Sequence, residues 1–324
     1  MGDGMGKSLL FFLVLSLAVV ESAFAQAFPT KPVTVVVPYP PGGGYDSLAR
    51  LLAPSLAAVL KQPFLVENRA GAGGTIAMAG IARAPADGYT LLLGGAGDFA
   101  ISPHLYSKLS YDVHREFSPI AMVATFPLML VVSPNVAAES VAQLVGLAKR
   151  TPKGLTYASA SIGSTGHISS ELFRTAADIP LVHVPYKGAA PAVADLIVGR
   201  TDMMISDIGT LQAHVRAGKI RPLAVTSSVR AAAFPSVPTM VEAGINFEVV
   251  GWYGVFAPAG TPVPVLAGIE RALASVVQSA EVKPRIEAMA LDVSFLPGAG
   301  LQSRIRIDSE KFGRAVQASG AKLD

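Results

Sequence analysis

Two glycine-rich turns hold the residues best suited to gripping a charged ligand. The first is Pro38-Tyr39-Pro40-Pro41-Gly42-Gly43-Gly44-Tyr45-Asp46, and the second is Ala158-Ser159-Ala160-Ser161-Ile162-Gly163-Ser164-Thr165-Gly166-His167. Each follows an apolar, strand-like run and opens a helix-like one. Glycine lets the backbone come close to a ligand, and the N–H groups and dipole of a helix start favour an anion. Ser164 and Thr165 add hydroxyl donors. Either turn alone is better read as an ordinary turn with its N-cap. Two of them facing one another across a cleft favour binding.

Catalytic readings are weaker. A Ser164/His167/Asp207 hydrolase lacks the Gly-x-Ser-x-Gly elbow, and Ser164 and His167 share one helical turn, which suits capping better than proton transfer. A dinucleotide site at Gly42–Ser47, with Glu67 as the ribose-binding acid, lacks the third glycine and has Pro40-Pro41 between strand and glycines. The histidines and acids show no metal-ligand spacing, so neither metal nor cofactor is expected. His167 reads either as a structural histidine or as a ligand contact. Lys187 reads as an anion attractor or a solvated loop charge, Trp252 as a packing residue near a crossover strand, and Arg69 as a partner for loop carbonyls.

The elements that must position these turns alternate strand and helix. Val33–Val37 is a β-branched run suited to a strand buried on both faces. Asp46–Leu60 has helical spacing, with a kink expected at Pro54. Strands at Phe64–Glu67 and Thr90–Leu93, with a helix at Thr75–Arg83, complete a βαβαβ run that favours a parallel sheet. The pattern restarts with helix Glu139–Lys149, strand Leu155–Ala158 and helix Ser164–Ala177. Strand Leu181–Pro185, helix Ala189–Val198, strand Met203–Ser206, helix Thr210–Ala217 and strand Pro222–Thr226 follow. Helices are expected near Val263–Ser279 and Gly300–Ala318. Two α/β units result, joined by apolar strands near Phe126–Ser133 and Val249–Ala257.

Composition narrows the class. The chain has 324 residues, long enough for two domains of ~150 residues. Hydrophobic residues are 51% and charged residues 15%, which excludes disorder. A net charge of +3 without a basic block argues against nucleic-acid partners, and the absence of cysteine removes disulfides and thiol chemistry. Lys7, the apolar run Leu9–Val20 and Ala23-Phe24-Ala25 read as a cleavable export signal over residues 1–25, since the run is shorter than the ~20 residues of a membrane span.

The turn at Pro38–Asp46 and Val66-Glu67-Asn68-Arg69-Ala70-Gly71-Ala72-Gly73-Gly74-Thr75 resemble the Bug-type (Bordetella uptake) solute receptors of tripartite tricarboxylate transporters. So do Ala84-Pro85-Ala86-Asp87-Gly88-Tyr89-Thr90-Leu91, Gly163–His167, His183-Val184-Pro185-Tyr186-Lys187-Gly188, Pro235–Thr239 and Phe256–Pro262. The resemblance covers nearly all of the chain beyond residue 25. It implies a type II periplasmic-binding-protein fold, with two α/β domains joined by two crossover strands and a ligand cleft between them. The domains fall at 26–128 plus 252–324 and at 129–251. The implied function is capture of a small carboxylate in the periplasm by a monomer, for delivery to membrane transporter subunits. A ligand sensor for a signalling kinase is the alternative with the same binding physics.

Carried over by position, the resemblance places one carboxylate at Tyr39, Gly42, Gly43, Gly44, Tyr45 and Asp46, beside the turn at Gly94, Ala96, Gly97 and Asp98. The far end of the ligand meets Ser159, Gly163, Ser164, Thr165, His167 and Asp207. Two departures stand out: Ile208 follows Asp207 where the family usually has Asn, and Asp98-Phe99 stands where a hydroxyl residue and His are usual. Asp98 is expected either to cap a helix beginning at Phe99 or to face the cleft, where it would reject highly charged acids and favour a ligand with a nearby hydroxyl, ring N–H or ammonium.

Overall fold

The computed structural model describes residues 28–323, so the expected export signal at 1–25 lies outside the described residues. Among the described residues, no helix is long and apolar enough to cross a membrane.

Strand β1 (Val33–Val37) pairs in parallel with β2 (Phe64–Asn68) on one side and β3 (Thr90–Gly95) on the other. Its continuous β-branched run fits this doubly covered position. Strand β4 (Phe117–Val132) is the longest, and β9 (Val250–Pro258) lies antiparallel between it and β3. β10 (Asp292–Pro297) pairs with the other edge of β4, which completes the first half of the sheet in the order β2-β1-β3-β9-β4-β10. The second half is built on the end of the same β4. There Leu128–Val132 pair with β7 (Met203–Asp207) on one side and β8 (Arg221–Val225) on the other. β5 (Leu155–Ser159) and β6 (Leu181–Pro185) extend it in parallel beyond β7.

β4 therefore passes through both lobes and changes partners between Pro127, opposite Val250 of β9, and Leu128, opposite Asp207 of β7. Thr226 ties this crossing together. Its fully buried hydroxyl donates to Val249 O at 2.6 Å and accepts from Leu128 N–H at 3.0 Å. Its own N–H donates to Leu128 O, and Val249 N–H donates to Thr226 O.

Helix Gly44–Leu60 buries Leu48, Leu52 and Leu56 against Val35, Leu91 and Leu93, with Ile269 and Leu273 of helix Val263–Val277 on the same face. It runs unbroken through Pro54, contrary to the expected kink. Pro54 is on the exposed face, so the carbonyl it leaves unbonded is open to water. The opposite face of the sheet carries Met78, Phe99, Trp252 and Phe256, and the same apolar cluster continues through Leu130 and Tyr157 into the second lobe. The C-terminal helix Gly298–Ser319 touches both β4 and helix Thr165–Ala177. Trp252 packs fully buried, its indole N–H donating to Asp308 at 2.8 Å. Helix Lys283–Ala288, β10 and a π-helical turn at Gly97–Ile101 are elements the sequence reading did not include.

Candidate functional site

The carboxyl ends of β1, β3, β5, β6 and β7 open onto one cleft of about 650 Å³ between the lobes. On the first wall, the helix after β1 begins at Gly44, two residues earlier than expected. Gly43 is its N-cap in an extended conformation, with no side chain capping it. Gly42, at φ 88°, takes the left-handed conformation that turns the chain, and its N–H donates to Asp46 Oδ2 at 2.9 Å. Arg50 Nε donates to Asp46 Oδ1 at 2.9 Å, so the buried Asp46 carboxylate holds the turn from behind. Burial works against that charge, but hydrogen bonds from Arg50 and Gly42 outweigh it and hold Asp46 below the ordinary carboxylate range. Gly43 and Gly44 remain on the cleft face, presenting the helix start.

Beside them runs an aromatic wall. Ring centroids of Tyr39 and Tyr45, Tyr45 and Tyr253, and Tyr253 and Phe126 lie 4.6, 4.6 and 4.8 Å apart. Asp98 sits behind this wall, 1% exposed. Its Oδ1 accepts from the Tyr39 hydroxyl at 2.8 Å, and its Oδ2 accepts from the Tyr45 hydroxyl at 3.2 Å and from Gly95 N–H at 2.8 Å. Burial pushes its pKa up to about 6 against the opposing effect of these hydrogen bonds. Of the two expectations for Asp98, facing the cleft is corrected, and the cap holds only in that a backbone N–H satisfies a carboxylate turned from the cleft. Residues 97–101 form a π-helical turn instead of a helix starting at Phe99, and the carboxylate reaches back to Gly95 while the two tyrosines separate it from the cleft.

On the second wall, Ser164 caps helix Thr165–Ala177. It accepts from His167 N–H at 3.2 Å and donates to Ser161 O at 2.9 Å. The His167 ring is 3% exposed and its Nδ1 accepts from Gly163 N–H at 3.0 Å, so it shapes the turn from within. It stacks on His183 with centroids 3.9 Å apart, and burial, aided by His183, pushes its pKa down to about 4. Ser159 Oγ lies 2.7 Å from His183 Nε2 and donates to Ser161 O. Asp207 lines the cleft, yet its carboxylate is committed to capping helix Ile208–Arg216 through Thr210 N–H and Oγ1–H, both at 2.8 Å. A further helix start, Ala189, faces the same space after Gly188, again with no side-chain cap. Lys187 is the single basic side chain on the lining among the described residues.

The structure thus brings Tyr39, Gly43, Gly44, Tyr45, Gly97, Gly163, Ser164, Thr165 and Asp207 to the cleft face. Asp46, Gly94, Ala96, Asp98, Ser159 and His167 stand behind it, and Gly42 is exposed at the turn outside the lining. Gly94 is a β3 residue whose Cβ position is 2.6 Å from the Phe99 ring, and Ala96 is buried. Sequence reasoning missed Tyr253, Phe126 and the Ala189 helix start. Only the last had a signal, a glycine between strand and helix. Arg69 binds the Glu67 carboxylate at 2.6 and 2.9 Å and not loop carbonyls, which also removes Glu67 as a ribose acceptor. Ser164 and His167 are joined through backbone N–H, so no Ser–His proton relay exists. Among the described residues no cluster of His or acids could hold a metal ion.

Two α/β lobes sharing crossover strands, with helix starts converging on the cleft between them, define a periplasmic-binding-protein fold of the solute-receptor class. Residues 48–320 match the family described as the tripartite tricarboxylate transporter family receptor. BugT of Bordetella pertussis is 35% identical over 301 residues, covering 92% of each chain. A UPF0065 protein from the tcbD-tcbE intergenic region of a Pseudomonas species is 38% identical over 293 residues, covering 90% of this chain and 87% of that one. Among solved structures, an R. palustris protein with adipate superposes with a TM-score of 0.83 at 34% identity, over 91% of this chain and 100% of that one. MatC from Rhodopseudomonas palustris with bound malate gives 0.77 at 30%, over 89% and 100%. The periplasmic binding protein BugD gives 0.78 at 32%, over 92% and 100%. The chain belongs to the tripartite tricarboxylate transporter receptor family, and it is a solute-binding receptor rather than an enzyme.

Proposed function

We propose that the protein captures a small carboxylate in its interdomain cleft, in the periplasm, and delivers it to the membrane subunits of a tripartite tricarboxylate-type transporter. The observation that carries this reading is the convergence of three helix starts, at Gly44, Thr165 and Ala189, on one cleft with no acidic N-cap residue on any of them; the one acid in a first turn, Asp46 of the Gly44 helix, is buried behind the turn and paired with Arg50. Each helix start favours an anion by about 0.3–1 kcal/mol, and more when partly buried. The fourth, at Ile208, is already neutralised by Asp207. Lys187 adds a positive charge to the lining. Relatives of the same fold hold adipate and malate. The contacting groups are the cleft-facing backbone of Gly43, Gly44, Thr165 and Ala189, with the Thr165 hydroxyl. Asp46, Asp98 and His167 hold those groups in place.

The change of β4 partners at Pro127/Leu128 supports dividing the chain into 26–128 plus 252–324 and 129–251, acting as a monomer that closes about the Thr226 crossing. Residues 1–25 are the export signal. A thermal-shift screen over mono-, di- and tricarboxylates, aromatic acids and acidic amino acids tests the reading. A ligand of the folded state adds about 2.7 kcal/mol at a hundredfold excess over Kd. At least one acid should raise Tm, and a panel with no stabilising acid would overturn the proposal.

A further inference from the structure

The aromatic wall has most of its hydroxyl protons already committed. Tyr39 and Tyr45 both donate to Asp98, at 2.8 and 3.2 Å. Burial and the Asp98 charge keep both phenols protonated. An ionised carboxylate only accepts, so neither phenol has a proton to offer the cleft, and each phenol oxygen keeps a lone pair with which it can accept. Tyr253, the next ring, is different. It is 6% exposed, lines the cleft and makes no hydrogen bond among the described residues. Its Oη lies 2.6 Å from where a Cβ on Gly44 would stand, beside the uncapped helix start. Buried phenols ordinarily have a hydrogen-bond partner. A hydroxyl without a protein partner, carried on a side chain nine-tenths buried and opening on a site for anions, points to a ligand.

We propose that Tyr253 donates to a ligand carboxylate held at the Gly44 helix start, while Tyr39 and Tyr45 accept from a hydroxyl or ammonium next to that carboxylate. The protein then selects 2-hydroxy and 2-amino acids over the unsubstituted acids. This deepens the carboxylate reading above and rests on it. Tyr253 touches the ligand, and Asp98 is a positioning residue that acts through the two phenols. A second carboxylate pressed against this end would meet two acceptor oxygens with a charge behind them.

Calorimetry with two matched sets tests this: succinate, malate and aspartate, then 3-phenylpropionate, 3-phenyllactate and phenylalanine. In at least one set, the hydroxy and amino members should bind the wild type at least tenfold more tightly than the parent acid. Asp98→Asn places an amide N–H₂ against one phenol and turns that phenol's proton to the cleft. The preference should then fall below threefold. A purely structural role for Asp98 would lower every affinity and leave the ratio intact. Tyr253→Phe should weaken all members of the set about tenfold and keep the ratio, and it decides the Tyr253 contact independently of Asp98→Asn. Equal wild-type affinities within both sets, or an unchanged ratio in Asp98→Asn, would overturn this inference and leave carboxylate capture standing. Failure of all six acids and of the wider carboxylate screen would overturn both.

Discussion

Asp98 holds its proton more tightly in the folded protein than in the unfolded chain, and that difference is measurable as stability. Its pKa of about 6, against the ordinary 3.8, corresponds to about 3 kcal/mol. The folded value is the raised one. The contribution is therefore fully present below about pH 4, is lost as pH rises from there through about 6, and stays lost above. Asp98→Asn keeps the size and an acceptor for one tyrosine but has no charge to bury. Relative to wild type, the variant should gain up to about 3 kcal/mol between pH 4 and pH 7. Urea unfolding at several pH values gives this difference directly, and Trp252, the single tryptophan and fully buried, supplies the fluorescence signal. A wild-type-minus-variant difference that is flat across this range, or that changes the other way, would refute the buried-carboxylate account.

His167 should show the opposite slope. Its folded pKa of about 4 lies below the ordinary 6.5, so its stabilisation is present above pH 6.5 and is lost as pH falls towards 4. The wild type's advantage over His167→Gln should shrink by about 3 kcal/mol over that fall in the same unfolding assay. Ser164→Ala removes the helix cap and should cost about 1 kcal/mol of stability, whereas Thr165→Ala should leave the urea midpoint unchanged and lower ligand affinity by calorimetry. Thr226→Val keeps the shape but strands Leu128 N–H and Val249 O. Thermal unfolding should report about 1–3 kcal/mol lost for each buried group left unpaired.

Local pattern made much of the architecture legible before the structure. β1 is a pure β-branched run, and its limits were readable to the residue because nothing in Val33–Val37 competes with a doubly buried strand. Both glycine turns were readable because a φ of 88° at Gly42 and 76° at Gly163 demands that residue type. β10 escaped notice because its residues are only half buried and carry little alternation. The role of Asp98 was hidden for another reason. It depends on Tyr39 and Tyr45, more than fifty residues away, so a short-range reading offered only a cap or a cleft charge. Tyr253 sits inside the apolar run of β9 and reads as core until the sheet places it beside Gly44. Thr226 likewise looks like the polar end of a strand, and only the meeting of β4 with the start of β9 gives its hydroxyl a purpose.

The central claim is that backbone N–H groups at converging helix starts bind the carboxylate. Titrating the best-stabilising acid into ¹⁵N-labelled protein, in wild type and in Gly43→Val, tests it most directly. Gly43 has room for a Cβ, its nearest neighbour being Pro40 O at 4.0 Å, so the variant should fold while its side chain covers the helix start. The account predicts downfield amide shifts concentrated at Gly43, Gly44, Tyr45, Thr165, Gly166 and Ala189, and loss of saturation in Gly43→Val. Shifts centred on the exposed groove at Arg50 and Arg285, or unaltered binding by the variant, would contradict it.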